Sequence, residues 1–187
     1  MPKIMDFTSV FKFIIRAFGR ERINFAIIGG FALQFAGVSR ATRDIDLLIL
    51  NTDSKKVKDI MFGHGYELLH ESEDVLNFRS DEFKLGRVDF LLAHRKYAVA
   101  MLKRAQEKEI LEGKFKVKVL RVEDQIGLKV QSGSNDPQRL SRDTADVESL
   151  IKQNYSNLDF KLLREYFALF GKETELEAII ERVKHAS

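Results

Sequence analysis

The sequence predicts an α/β protein of the α+β kind, in which a small mixed sheet flanked by helices (residues 1–121) is followed by a helical C-terminal part (residues 122–187) packed on it. Three observations carry this expectation. Short apolar runs between residues 25 and 92 have the length and bounding residues of strands, whereas from residue 94 apolar spacing of three and four dominates. Phe25-Ala26-Ile27-Ile28 is a continuous apolar run that ends in Gly29-Gly30, the signature of a buried strand entering a turn. The separators Glu71-Ser72-Glu73-Asp74 and 81–86 are short and polar, which suits antiparallel pairing of the runs around them.

The elements follow in order. Phe7, Val10, Phe11, Ile14, Ile15 and Phe18 recur at helical spacing, with Gly19 as the expected stop. After the 25–28 strand, residues 31–35 resume a helix-like composition as far as Gly37. Residues 44–50 read as a strand, and residues 54–61 as a helix with Val57, Ile60 and Met61 inward. Residues 66–70, 75–79 and 87–92 read as three further strands. Residues 109–111 and 115–120 flank Glu112-Gly113-Lys114, a compact hairpin signal. Helices are expected near 122–132, 138–153, 159–170 and 173–185, with Asp159 and Thr174 near the starts of the last two. Ser132-Gly133-Ser134-Asn135-Asp136-Pro137 reads as a loop hinging two helices.

Composition narrows the function. A chain of 187 residues, 44% of them apolar, can bury roughly 70% of the surface its unfolded form exposes and needs no covalent staples. The absence of cysteine excludes a disulfide framework, a thiolate zinc site and a cysteine nucleophile, and it suits a reducing compartment. No apolar run approaches the length of a membrane span, and the first six residues contain an aspartate and no cleavage-site pattern. The expectation is a cytoplasmic protein with no membrane contact. The net charge of +3 arises wholly after residue 93, because residues 1–93 carry 13 basic and 13 acidic side chains. That surplus permits phosphate contact but is far from the dense basic stripe of a dedicated nucleic-acid binder.

Three features bear chemistry. A Gly29-Gly30 turn between a strand and a helix lets the backbone approach a phosphate, although a tight turn needing glycine for geometry alone would look the same. Asp44 and Asp46 lie two apart in a strand, so both face one side while Ile45, Leu47 and Ile49 face the other. Two carboxylates so close repel unless a cation lies between them; Mg²⁺ or Mn²⁺, held by oxygen ligands and substrate phosphates, is the expected cofactor. An exposed acidic edge is the alternative, and the apolar run 47–50 argues against it. Asp89 lies within the apolar strand Val88–Leu92, where a carboxylate must be paired or metal-bound. It completes a three-carboxylate cluster if its strand neighbours the Asp44 strand; an ion pair with Arg87 or Arg79 is the alternative.

Taken together, Gly29-Gly30-x-Ala32, Gly37-x-x-Arg40-x-Thr42-x-Asp44-Ile45-Asp46-Leu47 and Val88-Asp89-Phe90 resemble the nucleotidyltransferase superfamily related to DNA polymerase beta. Within it the pattern is similar to the small abortive-infection toxin-type members and, next, to the antibiotic nucleotidyltransferases. The resemblance covers residues 25–92. It implies a nucleotidyltransferase-like fold and transfer of a nucleoside monophosphate from an NTP to a hydroxyl or phosphate acceptor, whether tRNA, protein or small molecule. It implies Asp44, Asp46 and Asp89 as metal ligands, with Asp89 as the base, and Gly29 and Gly30 at the phosphates. Arg40 and Thr42 fit the pattern as grips on triphosphate oxygens, while Arg43 reads as a surface residue. Many members have Gly-Ser where this chain has Gly29-Gly30, so a serine hydroxyl is missing here.

In the helical half, Lys129 falls on the inward stripe of Val122, Ile126, Val130 and Gly133, and Asp143 shares a face with Val147 and Leu150. Lys129 followed by Arg139-x-x-Arg142-Asp143-x-x-Asp146 is similar to signatures of the toxin-like members, which gives Lys129 and Asp143 a place at the substrate. A structural Lys129–Asp143 ion pair, and an Arg142–Asp146 pair one helical turn apart, read equally well. The four histidines have no ligand spacing and read as structural or exposed. Beside the enzyme stands a second expectation, a non-catalytic nucleotide-binding module such as one half of a toxin–antitoxin pair with a partner protein.

Overall fold

The computed structural model describes residues 5–185. Met1 to Ile4, which carry most of the expectation that no signal peptide is present, lie outside the described residues. The chain builds two compact units, one from residues up to Ala32 together with Arg40–Leu120, the other from Leu33–Ser39 and residues from Arg121 onward.

The first unit is built on a seven-stranded mixed sheet. In chain order its elements are α1 (Phe7–Glu21), β1 (Phe25–Ile27), the start of α2 (Gly29–Phe35), β2 (Asp44–Leu50), α3 (Ser54–Gly63), β3 (Glu67–Glu71), β4 (Val75–Arg79), β5 (Arg87–Ala93), α4 (Lys96–Lys103), β6 (Gln106–Ile110) and β7 (Phe115–Val119). The strand order is β3-β4-β5-β2-β1-β7-β6. Strands β3, β4 and β5 form the expected antiparallel meander, and β2 pairs with β5 in parallel over seven residues. Alternation decides which side of the sheet does what. Ile45, Leu47 and Ile49 of β2 and Val88, Phe90 and Leu92 of β5 join one core with Val10, Phe11, Ile14 and Phe18 of α1 and Val57 and Met61 of α3. With a side-chain period of two, Asp44, Asp46, Arg87 and Asp89 therefore face the other way.

Two boundaries in this unit differ from the sequence reading. Helix α1 continues past Gly19 to Glu21 and stops at Arg22, whose left-handed backbone (φ 55°) returns its N–H to the carbonyls of Gly19 and Phe18. A glycine costs a helix only about 1 kcal/mol, and burial of Phe18 just before it outweighs that. The start is set by Asp6, whose carboxylate accepts from the Ser9 N–H (3.1 Å) and hydroxyl (2.7 Å). Strand β6 begins at Gln106, and Leu111 lies in the turn with positive φ. Four of its five residues are polar and exposed, so it has no apolar alternation to read. As an edge strand it needs none, and its charges blunt pairing with another chain.

The second unit contains α5 (Val122–Asn135), α6 (Pro137–Asn154), α7 (Phe160–Ala168) and α8 (Glu173–His185). Its core holds Ile126, Val130, Val147, Leu150, Ile151, Leu163, Phe167, Leu176, Ile179, Ile180 and Val183, with Leu33, Ala36 and Val38. The Asn154 amide ties in that early segment by donating to the carbonyls of Ala36 and Leu150, both at 3.0 Å. The loop expected over 132–137 is absent. Helix α5 runs through Asn135, and Asp136 alone separates it from α6, accepting from the Gln138 N–H at 2.9 Å while Pro137 takes the first helical position. Serine, glycine and asparagine are weak helix formers, yet packing of α5 on α6 overrides that preference. The histidines are placed as expected: His64 stacks on Phe13 (ring centroids 3.5 Å apart), His94 bonds Asp74 at 2.7 Å, and His70 and His185 are exposed. No described helix is long and apolar enough to cross a membrane.

Within this unit Tyr166, fully buried, donates its hydroxyl to Asp124 at 2.6 Å. Asp124 is itself completely buried, so loss of that donor leaves a desolvated carboxylate with less to compensate its charge. Tyr166→Phe is expected to lower unfolding stability by about 1–3 kcal/mol, read as a fall in the urea midpoint at unchanged slope.

Candidate active site

The acidic cluster is produced by strand register. Because β2 and β5 run parallel with Asp46 opposite Asp89 and Asp44 opposite Arg87, the period of two brings three carboxylates to one face. One oxygen from each of Asp44, Asp46 and Asp89 lies within 4.8 Å of the others, and all three residues are half-buried. Three hard oxygen donors with an open side fit a hard divalent cation such as Mg²⁺ or Mn²⁺, and the donor set holds no nitrogen or sulfur to favour a softer metal.

The glycines are placed by this cluster. The Ile28 N–H donates to the Asp46 carbonyl at 3.0 Å, which fixes the end of β1 against β2. Gly29 then takes φ +62°, and a Cβ there would land on the Asp46 carboxylate. A Cβ on Gly30 would lie 2.8 Å from Cβ and 2.9 Å from Oγ1 of Thr42. Both glycines are therefore required by close approach of the site's own side chains, and only Gly29 also by its backbone angle. Gly29→Ala is expected to cost about 2–3 kcal/mol through the left-handed backbone and to displace the Asp46 side chain; a thermal melt together with a Mn²⁺ titration checks both effects.

Thr42 donates its hydroxyl to the Asp44 carbonyl (2.9 Å) and approaches the Asp44 carboxylate (3.3 Å), so it steadies the start of β2. Arg40 is half-buried on the segment entering β2, and Arg43 is exposed. Asp89 is held from two sides. The Arg87 Nε lies 3.0 Å from each of its carboxylate oxygens, and the Asn77 amide of β4, directly opposite Asp89 in register, donates to Oδ1 at 2.8 Å. The hydrogen bond to Asp89, with the charges of Asp89, Asp44 and Asp46, holds the Arg87 guanidinium above its ordinary pKa. Thus the ion pair weighed as an alternative for Asp89 and its place in the cluster occur together. Sequence reading missed Asn77, because its role depends on cross-strand register that no local pattern encodes.

Lys129 and Asp143 lie in the second unit. The Lys129 ammonium sits 3.0 Å from Asp143 Oδ1 and 2.7 Å from Asp146 Oδ2, with all three side chains largely buried. Arg139 Nε approaches Asp143 Oδ2 at 3.7 Å, and that oxygen has no hydrogen-bond partner. Arg142 is exposed, and the short contact to Asp146 is made by Lys129 in place of the expected Arg142.

A mixed sheet that turns three carboxylates to one face of two parallel strands, next to a glycine-led helix, defines a protein of the nucleotidyltransferase class. The chain belongs to the nucleotidyl transferase AbiEii toxin family, type IV toxin–antitoxin system, whose family model matches residues 14–186. Solved structures share the fold. The antibiotic-resistance factor ANT(2'')-Ia matches with a TM-score of 0.62 at 17% identity, covering 98% of this chain and 100% of that one. The lincosamide antibiotic adenylyltransferase LnuA, in its lincomycin-bound form, matches with a TM-score of 0.53 at 17% identity over 76% of this chain and 94% of that one. An antigenic nucleotidyltransferase-like protein from Paracoccidioides brasiliensis matches with a TM-score of 0.53 at 17% identity over 95% and 94%. No curated protein sequence matches the chain.

Proposed function

We propose that the protein is a divalent-metal-dependent enzyme that moves a nucleoside monophosphate from an NTP to a hydroxyl or phosphate acceptor. The observation that carries this reading is the convergence of Asp44, Asp46 and Asp89 within 4.8 Å on in-register strands. Asp44, Asp46 and Asp89 would hold Mg²⁺ or Mn²⁺, which when bound supplies charge compensation for the triphosphate. The acceptor oxygen attacks the α-phosphorus, the bond from that phosphorus to the α–β bridging oxygen breaks, and pyrophosphate leaves with the bonding pair. The acceptor proton passes to an Asp89 carboxylate oxygen. Gly29 and Gly30 let the Asp46 and Thr42 side chains close in beside the turn, Thr42 steadies Asp44 through its hydroxyl, and Arg40 would bring a guanidinium toward triphosphate oxygens from the segment entering β2.

For Lys129 and Asp143 the geometry favours a role inside the helical unit over one at the substrate, since the ammonium is engaged by two buried carboxylates. The acceptor belongs to one of three classes: RNA such as a tRNA end, a protein hydroxyl, or a small molecule. The relative ANT(2'')-Ia is described in complex with adenylyl-2''-tobramycin, which supports the third class, whereas the toxin family supports a cellular target and an antitoxin counterpart. The test is incubation of the protein with Mn²⁺, each labelled NTP and total cell extract, following which fraction gains label. Label transfer that disappears in Asp46→Ala supports the reading; no transfer and no nucleotide binding in the wild type removes it. A second reading, a non-catalytic nucleotide-binding half of a toxin–antitoxin pair, draws on the engagement of Asp89 by Arg87 and Asn77. Nucleotide binding unchanged in Asp46→Ala, without turnover in the wild type, selects it.

A further inference from the structure

Three half-buried carboxylates within 4.8 Å repel one another, so charge of opposite sign must be at hand before any metal arrives. Arg87 supplies it. The residue is paired in register with Asp44, two positions before Asp89 on the same strand, and its guanidinium places Nε 3.0 Å from both Asp89 oxygens. Its side chain is 48% exposed against 17% for Asp89, so the guanidinium keeps contact with solvent while it pairs with the carboxylate. Asn77 approaches the same carboxylate from the neighbouring strand, is neutral, and bonds Oδ1 at 2.8 Å.

Building on the metal-dependent reading above, we infer that Arg87 is the resident counter-cation of the cluster: it holds Asp89 in the metal-free protein, competes with the divalent cation for that carboxylate, and swings toward solvent as the cation arrives, while Asn77 keeps Asp89 oriented. The exchange is physically favourable because a divalent ion engages all three carboxylates, whereas Arg87 bonds one, and a half-exposed guanidinium regains water when it leaves. Asn77 has no charge to oppose the metal. It continues to donate to Oδ1 while Oδ2 turns to the ion, the usual work of a group that orients a metal ligand.

The probe is Mn²⁺ alone, titrated calorimetrically into the full chain without nucleotide. Arg87→Gln is expected to bind Mn²⁺ about tenfold more tightly, because a like charge and a competitor have gone, and to melt lower than wild type without metal but gain more from its addition. Arg87→Lys, which keeps the charge without the fork, is expected between wild type and Arg87→Gln. Asn77→Ala is expected to weaken Mn²⁺ about tenfold. Wild-type binding with unchanged or weaker affinity in Arg87→Gln overturns the role of Arg87, and unchanged affinity in Asn77→Ala overturns that of Asn77. Absence of Mn²⁺ binding in both wild type and Arg87→Gln removes the metal reading itself, and this proposal with it. Circular dichroism of each variant separates these results from misfolding.

Discussion

Asp46→Asn is expected to lower nucleotidyl transfer by about a thousandfold or more while leaving the protein folded and at least as stable without metal. The side chain keeps its shape, so the close fit of Gly29 against it is undisturbed. What disappears is one of three negative charges within 4.8 Å. In the metal-free protein that removal relieves repulsion, which tends to raise stability. On the metal-dependent reading proposed above, it would also remove an anionic ligand from the cation, for which a neutral amide is a poor substitute. The checking measurements are steady-state transfer with Mn²⁺, Mn²⁺ affinity and a thermal melt. Retained transfer within tenfold of wild type would show that Asp46 is not part of the catalytic centre. A melt lowered by many degrees would point to a structural role instead.

Lys129→Met is expected to destabilise the helical unit by about 3–5 kcal/mol, a loss comparable to the whole stability of a marginal domain. Lys129 is the only ammonium within 3.0 Å of both Asp143 and Asp146 among the described residues, and those carboxylates are 2% and 6% exposed. Taking it away removes the ammonium that lies between two buried negative charges. Arg139, 3.7 Å from Asp143 and more than half exposed, compensates only in part. Replacing Lys129, Asp143 and Asp146 together by methionine and leucines should recover most of the loss, since an apolar cluster of similar volume carries no desolvation penalty. Urea unfolding of the three proteins checks this. If Lys129 instead gripped a substrate phosphate, Lys129→Met would keep its stability and raise the KM for NTP.

Much of the candidate site is legible in the order of residues 25–50 and 87–92. The pair Asp44 and Asp46 share a face for the simple reason that strand side chains alternate, and Ile45, Leu47 and Ile49 show which face is the core. Asp89 stands out because a carboxylate between Val88 and Phe90 is costly there without a partner. Its neighbourhood is not legible. That β5 pairs with β2, in parallel and with Asp46 opposite Asp89, depends on contacts more than forty residues apart. The same holds for Asn77, brought to Asp89 by the register of β4 on β5, and for Asp124, whose partner Tyr166 lies on another helix.

The two helix boundaries that differ from the sequence reading share one cause. Gly19 and the segment 132–137 carry residues with low helix propensity, and local preference amounts to about 1 kcal/mol per residue at most short of proline. Burial of Phe18, and of Val130 and Gly133 on α5, outweighs it. Strand β6 fails in the opposite way: an edge strand pairs through its backbone and needs no apolar signal.

What residue order alone determined is local: the periodicities that make the strands and helices, the bare glycine turn, and the common side of Asp44 and Asp46. The tertiary structure decided what needs two distant segments in register, namely the meeting of Asp89 with that pair, the hold of Asn77 on it, and the seat of Lys129 between Asp143 and Asp146. The physical reason is that alternation and helical spacing act over a few residues, whereas charge pairing acts through space between groups that the chain brings together only on folding.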